Sequence, residues 1–577
     1  MEARFDILVI GAGVAGLRAA LAAARAGARV GVAWGRRLSH QGKAKGGIAV
    51  VLSGEEQDLV LHEEDTFGAG AGLCDRTAVR VLVRDGGEEV RRLIDWGARF
   101  DREDNRYHLT REAAHSTARI LHAGGDATGR EIIRTLVGRV RAEEKIERLP
   151  GAMATAILVE DGRAVGARLR LLDGQPLDVL ARAVLLATGG MGCCWAVTSN
   201  PPEATGDGLA LALRAGCLAG DLEFVQFHPT SLALPGAPPF LLTEALRGEG
   251  GVIRNEEGER FLGRFDPRGE LAPRDVVARG IAREILRQKG RPVLLDLGGL
   301  EEGFVERRFP GVLAACRSYG LDPLRTPIPV RPAAHYAMGG VVTDLWGRTT
   351  LPGLYAAGPP PVCTGPTAWP ATPCSRGWSS APGRRGRCSA MPGRPCRHGR
   401  PSLPLLPVSI RRRAQVQESA ELSLGIVRSR AGLERVLEEL ESIVQNDRHA
   451  EEGDPRPSRE VANMVLVLSA LARSALWREE SRGAHRREDF PAADEERFRV
   501  HSRVDLAGEV TSAPVDFQGP SEGAWEERAG GVLAEIRYSM LENSRDQRVL
   551  ETRWEILRAM DTRRLKPVLR WSLRCSS

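Results

Sequence analysis

The chain has 577 residues, 42% hydrophobic and 27% charged, which excludes a disordered or fibrous protein and predicts roughly three or four domains. Ten cysteines without a CxxC pair exclude a disulfide scaffold and a structural zinc ribbon. The net charge of +6 is local: ten Arg fall between Gly358 and Gln417, Leu345 to Gln417 holds no Asp, Glu or Lys, and setting those ten aside takes the rest to −4, so the charge is no sign of a nucleic-acid partner.

Phe5 to Ile10 reads as a buried strand, Gly11-Ala12-Gly13-Val14-Ala15-Gly16 as a turn, the Ala- and Leu-rich stretch to about Ala26 as a helix, and Arg29 to Ala33 as the next parallel strand. In that context the glycines have distinct tasks. Gly11 permits the tight turn, Gly13 lets the backbone approach a pyrophosphate, and Gly16 lets helix and strand pack closely. The helix N-terminus then faces the phosphates. The acidic ribose partner expected after the second strand is missing, since Trp34-Gly35-Arg36-Arg37 stands there.

Ala183 to Leu186 predicts a strand leading into Ala187-Thr188-Gly189-Gly190, followed by Ala204-Thr205-Gly206-Asp207-Gly208 at the start of another helix. Small residues at both turns suit a ligand approached by backbone. With the first motif they predict a two-part grip on FAD. From about Leu222 to Val330 short strands and Pro/Gly turns predict an inserted α+β capping domain, and Arg331 to Gly358 returns to the first domain with a further strand and turn at Gly353–Gly358. Residues 414–480 are helical by period, with Leu433, Val436, Leu437, Leu440 and Ile443 on one face. Residues past about 502 fit no pattern. The domain reading is therefore 1–221 with 331–415 for the cofactor, 222–330 for the cap, 416–501 for a helical C-terminal domain, and 502–577 as an unassigned tail.

These residues resemble the flavoprotein family of succinate dehydrogenase, fumarate reductase and L-aspartate oxidase. The stretch from His115-Ser116-Thr117-Ala118-Arg119 to Asp126-Ala127-Thr128-Gly129-Arg130-Glu131 is similar to the L-aspartate oxidase branch. So are Gly46-Gly47-Ile48-Ala49, Glu223-Phe224-Val225-Gln226-Phe227-His228-Pro229-Thr230 and Thr243-Glu244-Ala245-Leu246-Arg247-Gly248. Ala272-Pro273-Arg274-Asp275, Pro332-Ala333-Ala334-His335-Tyr336 and Glu480-Ser481-Arg482-Gly483-Ala484-His485 continue the series in collinear order. The resemblance implies an α/β, Rossmann-like FAD-binding domain with its cap and helical domain. It implies oxidation of L-aspartate to iminoaspartate, the first step of NAD biosynthesis, with reoxidation by oxygen or fumarate and handover to quinolinate synthase. The expected setting is the cytoplasm, with no nucleic acid or membrane as partner. The first residues, Met-Glu-Ala-Arg-Phe-Asp, lack a signal-peptide layout, and no uninterrupted apolar run reaches about 18 residues.

Oxidising an amino acid to an imine moves a hydride from Cα to the flavin, so two carboxylates must be held by cations or strong donors and an amine must be oriented. His228, His335 and Arg274 supply donors and positive charge, Glu244 with Thr243 completes the cap surface, and Glu112 supplies a negative partner for the ammonium. The resemblance implies that Glu112 orients the substrate, that His228 and His335 bind carboxylates, and that Arg274 transfers the proton, although an arginine base is chemically unusual. Gly11 to Gly16, Gly46, Gly47, Thr188, Gly189, Asp207 and Gly358 are the expected FAD contacts. Taken singly, His228 reads as a hydrogen-bonded core residue, Arg274 beside Asp275 as a helix-start salt bridge, and Glu112 with Arg111 as a solvated pair. The surrounding motifs reverse those readings. His115 and His122 are expected to be structural.

Two departures stand out. Lys45 takes the position of a Gln, and His40 lies six residues before Gly46, as the flavin-linking His does in succinate dehydrogenases; the later motifs favour the oxidase. After Gly358 the family should run into a Thr-Gly turn and then His-Gly-Ala-Asn-Arg-Leu-Ala-Ser-Asn-Ser-Leu-Leu-Glu-Gly, whose Arg binds a carboxylate. Here twelve of the 35 prolines and four of the ten cysteines fall between Gly358 and Arg413, a density no helix tolerates. Back-translating Pro366 to Trp378 and reading from the third base of each codon allows Asn-Arg-Leu-Ala-Ser-Asn-Ser-Leu-Leu-Glu-Gly-Leu-Val. The segment 358–413 therefore reads as a reading-frame shift, with Ala368 opposite the missing Arg. A fumarate reductase or succinate dehydrogenase flavoprotein subunit and an inactive frame-shifted remnant are the rival readings.

Overall fold

The computed structural model describes residues 2–35, 46–111, 115–125, 127–358, 400–401, 408–446 and 456–516. His40, Lys45, Glu112, Ala368, nearly all of the segment 358–413 and the tail beyond 516 lie outside the described residues.

The fold is α/β, built on an eight-stranded sheet. Its parallel half runs Pro176–Leu186, Glu2–Ile10, Val30–Trp34 and Ile146–Pro150, and Leu354–Ala356 pairs in parallel with the end of Pro176–Leu186. Met153–Glu160 and Arg163–Arg170 extend it antiparallel on the other side. The first strand is apolar without alternation because both of its faces are covered. Ile7 and Val9 pack on one side with the helices Val14–Arg25 and Thr128–Arg141. Leu8 and Ile10 pack on the other with Asp207–Arg214 and the C-terminal helices. The second strand begins and ends one residue later than expected, and the strand expected at Ala183 starts at Pro176.

A four-stranded antiparallel sheet stands apart, in the order Val225–Leu232, Ile328–Ala337, Val293–Asp296, Val252–Arg254, covered by the helix Arg274–Arg287 and enclosing its own apolar cluster from Leu232 to Val330. The boundary expected at 330/331 falls inside the strand Ile328–Ala337, so one strand belongs to the cap sheet at its start and reaches the FAD-binding half at its end.

The helical period at the C-terminal side resolves into Arg413–Ser423, Arg430–Asn446 and Arg456–Trp477. Leu433, Val436, Leu440 and Ile443 are buried on one face of the second, as their spacing requires. Arg456–Trp477 is the one helix among the described residues that is long and apolar enough to cross a membrane, and its apolar residues are packed in the main core. Residues 501–513, where the sequence loses its legible pattern, form a hairpin of His501–Val504 and Val510–Ala513 that pairs with Ala219–Gly220. Neighbouring Arg428 and Arg478 are fully buried. Arg478 donates to Glu223 at 2.6 Å and Glu480 at 3.0 Å, so this segment locks onto the residues that open the strand Val225–Leu232.

Candidate active site

The glycine turn has the geometry its sequence demands. Gly11 has φ +115°, and a Cβ there would stand 2.1 Å from the Ala187 carbonyl oxygen; a Cβ on Gly16 would stand 2.0 Å from the Gly11 oxygen. Backbone bonds tie the strand ends together: Gly11 N–H donates to Ala33 at 2.8 Å, Ala187 N–H to Ile10 at 2.8 Å, and Ala357 N–H to Leu186 at 2.9 Å. Gly13 caps the helix whose first residues are Val14, Ala15 and Gly16, and Ala12 is buried beneath it. Gly358, φ +101°, brings a third turn to the same place, 3.4 Å from the Ala15 methyl measured from a notional Cβ. Three chain turns with almost no side chains thus meet at one helix N-terminus, which is the cradle a dinucleotide needs.

Thr188 and Gly189 follow the end of the strand Pro176–Leu186, and a Cβ on Gly208 would collide with Thr188 Oγ1 at 2.0 Å. Asp207 opens its helix and accepts from Asn463 Nδ2 at 2.6 Å; burial raises its carboxyl above the usual range. Gly47 is pressed against Ile120 and Leu121, whereas Gly46 is exposed.

The second cluster hangs on the antiparallel pair Val225–Leu232 and Ile328–Ala337. His228 faces Ala333 in the register, so His335, two residues on, lies diagonally across on the same face. The two rings meet edge to face with centroids 5.3 Å apart. Bulges flank His228 on both sides. Arg274, the first residue of its helix, donates from Nε to Glu244 at 2.5 Å and from Nη1 to Gln226 at 3.1 Å. Its partner is thus Glu244 and not the adjacent Asp275, which pairs with Arg279 at 2.7 Å, so the simple helix-start salt bridge is not formed. Thr243 is buried, and its hydroxyl accepts from the Ala245 amide at 3.4 Å, opening the short turn that carries Glu244. Arg247 reaches Glu244 at 3.9 Å from the opposite side.

The electrostatics follow from this packing. Burial, with Arg274, His335 and Arg247 nearby, holds His228 well below the usual histidine value. Burial and the Arg274 charge push His335 down to about 3. Burial alone would lift the Glu244 carboxyl, but Arg274 and Arg247 outweigh it and hold the group below the usual carboxylate range. At neutral pH the cluster therefore holds two neutral imidazoles and a carboxylate between two guanidiniums.

His228, His335, Arg274, Glu244 and Thr243 are thus neighbours. Glu112 lies outside the described residues; its neighbour Arg111 donates to the His115 carbonyl at 2.9 Å, and His115 is close enough to Glu244 to shift it. Arg247 and Gln226 were legible as parts of motifs, three residues after Glu244 and two before His228, but nothing in the spacing set them apart. Ser199, whose hydroxyl lies 2.7 Å from His335 Nδ1, had no sequence signal, because its position depends on how a loop crosses to another strand.

A dinucleotide cradle joined to a cationic, imidazole-lined cap defines an FAD-dependent flavoprotein. The family described as FAD binding domain matches residues 6–360, and that described as Fumarate reductase flavoprotein C-term matches 413–522; the residues between them belong to neither match. Among curated relatives, an L-aspartate oxidase of Streptomyces coelicolor is 41% identical over 88% of this chain and 92% of its own length. One of Caulobacter vibrioides is 41% identical over 86% and 96%. The match to one of Neisseria meningitidis is 44% over 63% and 73%. Among solved structures, E. coli quinol fumarate reductase FrdA superposes with TM-score 0.80 at 28% identity, covering 90% of this chain and 98% of that one. Mycobacterium smegmatis Sdh1 gives 0.77 at 30%, covering 90% and 96%. The chain belongs to the L-aspartate oxidase family of FAD-dependent oxidoreductases.

Proposed function

We propose that this chain oxidises L-aspartate to iminoaspartate, the first step toward NAD. The observation that carries the reading is the grouping of His228 and His335 on one strand pair with Arg274 at the start of its flanking helix and Glu244 on the turn that meets it. Bound in the cradle of Gly11–Gly16, Thr188–Gly189, Asp207 and Gly358, FAD supplies the acceptor for the two electrons that leave Cα.

The remaining work falls to side chains. The neutral imidazoles of His228 and His335 donate N–H to substrate carboxylates, and Arg274 adds the cation. Arg274 and Arg247 against Glu244 leave one positive charge among the described residues of the cluster, complementary to a substrate carboxylate. We assign the substrate ammonium to Glu112. Arg274 is assigned proton transfer; a guanidinium releases a proton reluctantly, and the carboxylate on its Nε, backed by Arg247, forms a chain along which that proton can pass in concert. Oxygen or fumarate would accept the electrons, quinolinate synthase would take the unstable imine, and the cytoplasm is the setting.

The gap between the two family matches supports the reading-frame shift between Gly358 and Arg413. The test compares the literal chain with one restored in frame, recording flavin absorbance, aspartate-dependent peroxide release, and succinate oxidation with a dye acceptor. Aspartate turnover by the restored chain is expected. Succinate oxidation alone would transfer the reading to a fumarate reductase type, and a restored chain that is colourless and inactive would mark a remnant. A yellow, active literal chain would overturn the frame-shift reading.

A further inference from the structure

The stretch Val197–Asn200 runs between the turn Thr188–Gly190 and the helix Asp207–Arg214, and it grips the strand that carries His335. Ala334 N–H donates to Val197 at 2.9 Å, and Ser199 N–H donates to Ala334 at 3.0 Å. Thr198 Oγ1 donates to the Ala334 carbonyl at 2.9 Å, and Asn200 Nδ2 donates to the His335 carbonyl at 2.7 Å and to Ala334 at 3.3 Å. Asn200 is itself seated on Gly192, where a Cβ would stand 2.3 Å from its Nδ2. The backbone around His335 is therefore fixed from the FAD-binding side of the molecule.

The side chain is fixed too. Ser199 Oγ lies 2.7 Å from His335 Nδ1 and 3.4 Å from the Ala334 carbonyl. A serine hydroxyl has one proton to give. The Ala334 oxygen already receives Thr198, the Ser199 amide and Asn200, more donors than its two lone pairs can serve well. The short contact to Nδ1 therefore takes the hydroxyl proton. A neutral imidazole whose Nδ1 accepts must carry its proton on Nε2. His228 is set in the same way, since its Nδ1 accepts the Thr230 amide at 3.3 Å.

We propose that Ser199 is a positioning residue for dicarboxylate recognition, holding His335 in the Nε2–H tautomer so that the ring presents a donor to a substrate carboxylate. The proposal rests on the reading of His335 as a carboxylate donor. With Ser199 removed, the ring is free to place its proton on Nδ1 and meet the substrate with a lone pair.

The test uses the full chain, in its literal and frame-restored forms, with succinate as a dicarboxylate probe. Histidine 15N NMR of the imidazoles, with the His335 signals assigned by their loss in His335→Asn, reads the tautomer directly. In the unsubstituted protein Nδ1 of His335 must be unprotonated at neutral pH; a protonated Nδ1 with neutral Nε2 overturns the proposal without any variant. Ser199→Ala is expected to shift the signals toward the Nδ1–H form and to weaken succinate binding about tenfold, raising KM for aspartate more than it lowers kcat. Ser199→Thr, which keeps the hydroxyl, is expected to restore both. Unchanged signals and affinity in Ser199→Ala refute the proposal, as do equal losses in the Ala and Thr variants. If no form binds succinate, the substrate reading fails and the claimed role in recognition with it, while the tautomer signals still show whether Ser199 sets the ring.

Discussion

Buried neutral histidines make the stability of this fold depend on pH in a way that can be worked out in advance. Burial, with the Arg119 charge nearby, pushes His62 down to about 4. Burial, His62 and Arg119 push His115 down to about 3. Burial and Arg308 push His122 down to about 4. All three side chains are nearly inaccessible. An unfolded histidine binds its proton near pH 6.5, so as pH falls through that value the unfolded chain gains protons that the fold refuses. The sign is therefore a loss of stability toward acid. Between about pH 7.5 and about pH 5 the difference integrates to ~2 kcal/mol for each ring, or ~6 kcal/mol together. Glu460 works the other way. Burial and the nearby Asp207 push its carboxyl up to about 7, so it is relieved on acidification and returns ~2 kcal/mol. His228 and His485, both held well below the usual value by burial, add to the loss, and His501, raised by Asp221 against its burial, subtracts from it. His335, pushed down to about 3, costs a further ~2 kcal/mol, so the four rings with stated values less Glu460 give a net fall of ~6 kcal/mol over that interval. Urea denaturation at the two pH values measures it, and His122→Gln isolates one contribution. The glutamine amide can keep the contact that Thr110 Oγ1 makes with His122 Nε2 at 2.9 Å, and the variant should lose ~2 kcal/mol less than the parent on acidification. Equal stability of the parent at both pH values, or an unaltered pH dependence in His122→Gln, would refute the reasoning.

Further outcomes follow from the same geometry. Gly11→Ala forces a side chain into φ +115° and into the Ala187 carbonyl, at a cost of at least about 1–2 kcal/mol from the backbone alone, and is expected to abolish flavin absorbance in a frame-restored chain that otherwise takes up FAD. Glu244→Gln in the same background should keep the flavin colour but lower kcat for aspartate by about a hundredfold or more, because Arg274 loses the carboxylate on its Nε; steady-state rates decide it. Arg478→Met leaves Glu223 buried without its cation, while Glu480 keeps Arg482, and should cost about 3–5 kcal/mol in urea denaturation; Glu223→Gln added to it should recover part of that loss, and additive losses would show the pair to be uncoupled.

Much of the cofactor side was legible in the sequence because it is local. Gly11, Gly13 and Gly16 lie within one turn, their spacing is the spacing of a strand–helix junction, and the absence of side chains is itself the signal. The helical face of Leu433, Val436, Leu440 and Ile443 was legible for the same reason, since period 3.6 is a property of a single segment. The break after Gly358 was visible too, because a run of prolines contradicts the helix that the neighbouring motifs require.

What only the tertiary structure decided concerns partners far apart in the chain. Arg274 could pair with the adjacent Asp275, and it is the approach of the turn at Glu244 to the start of a helix thirty positions away that chose otherwise. The hairpin Val504–Val510 has no pattern of its own because its pairing edge, Ala219–Gly220, is supplied by a distant strand. Burial sets the charge state of His228 and His335, and sequence carries no measure of burial for a single polar residue. Local backbone chemistry wrote the glycine cradle into the sequence; the electrostatics beside it arise only when non-local segments close together and exclude water.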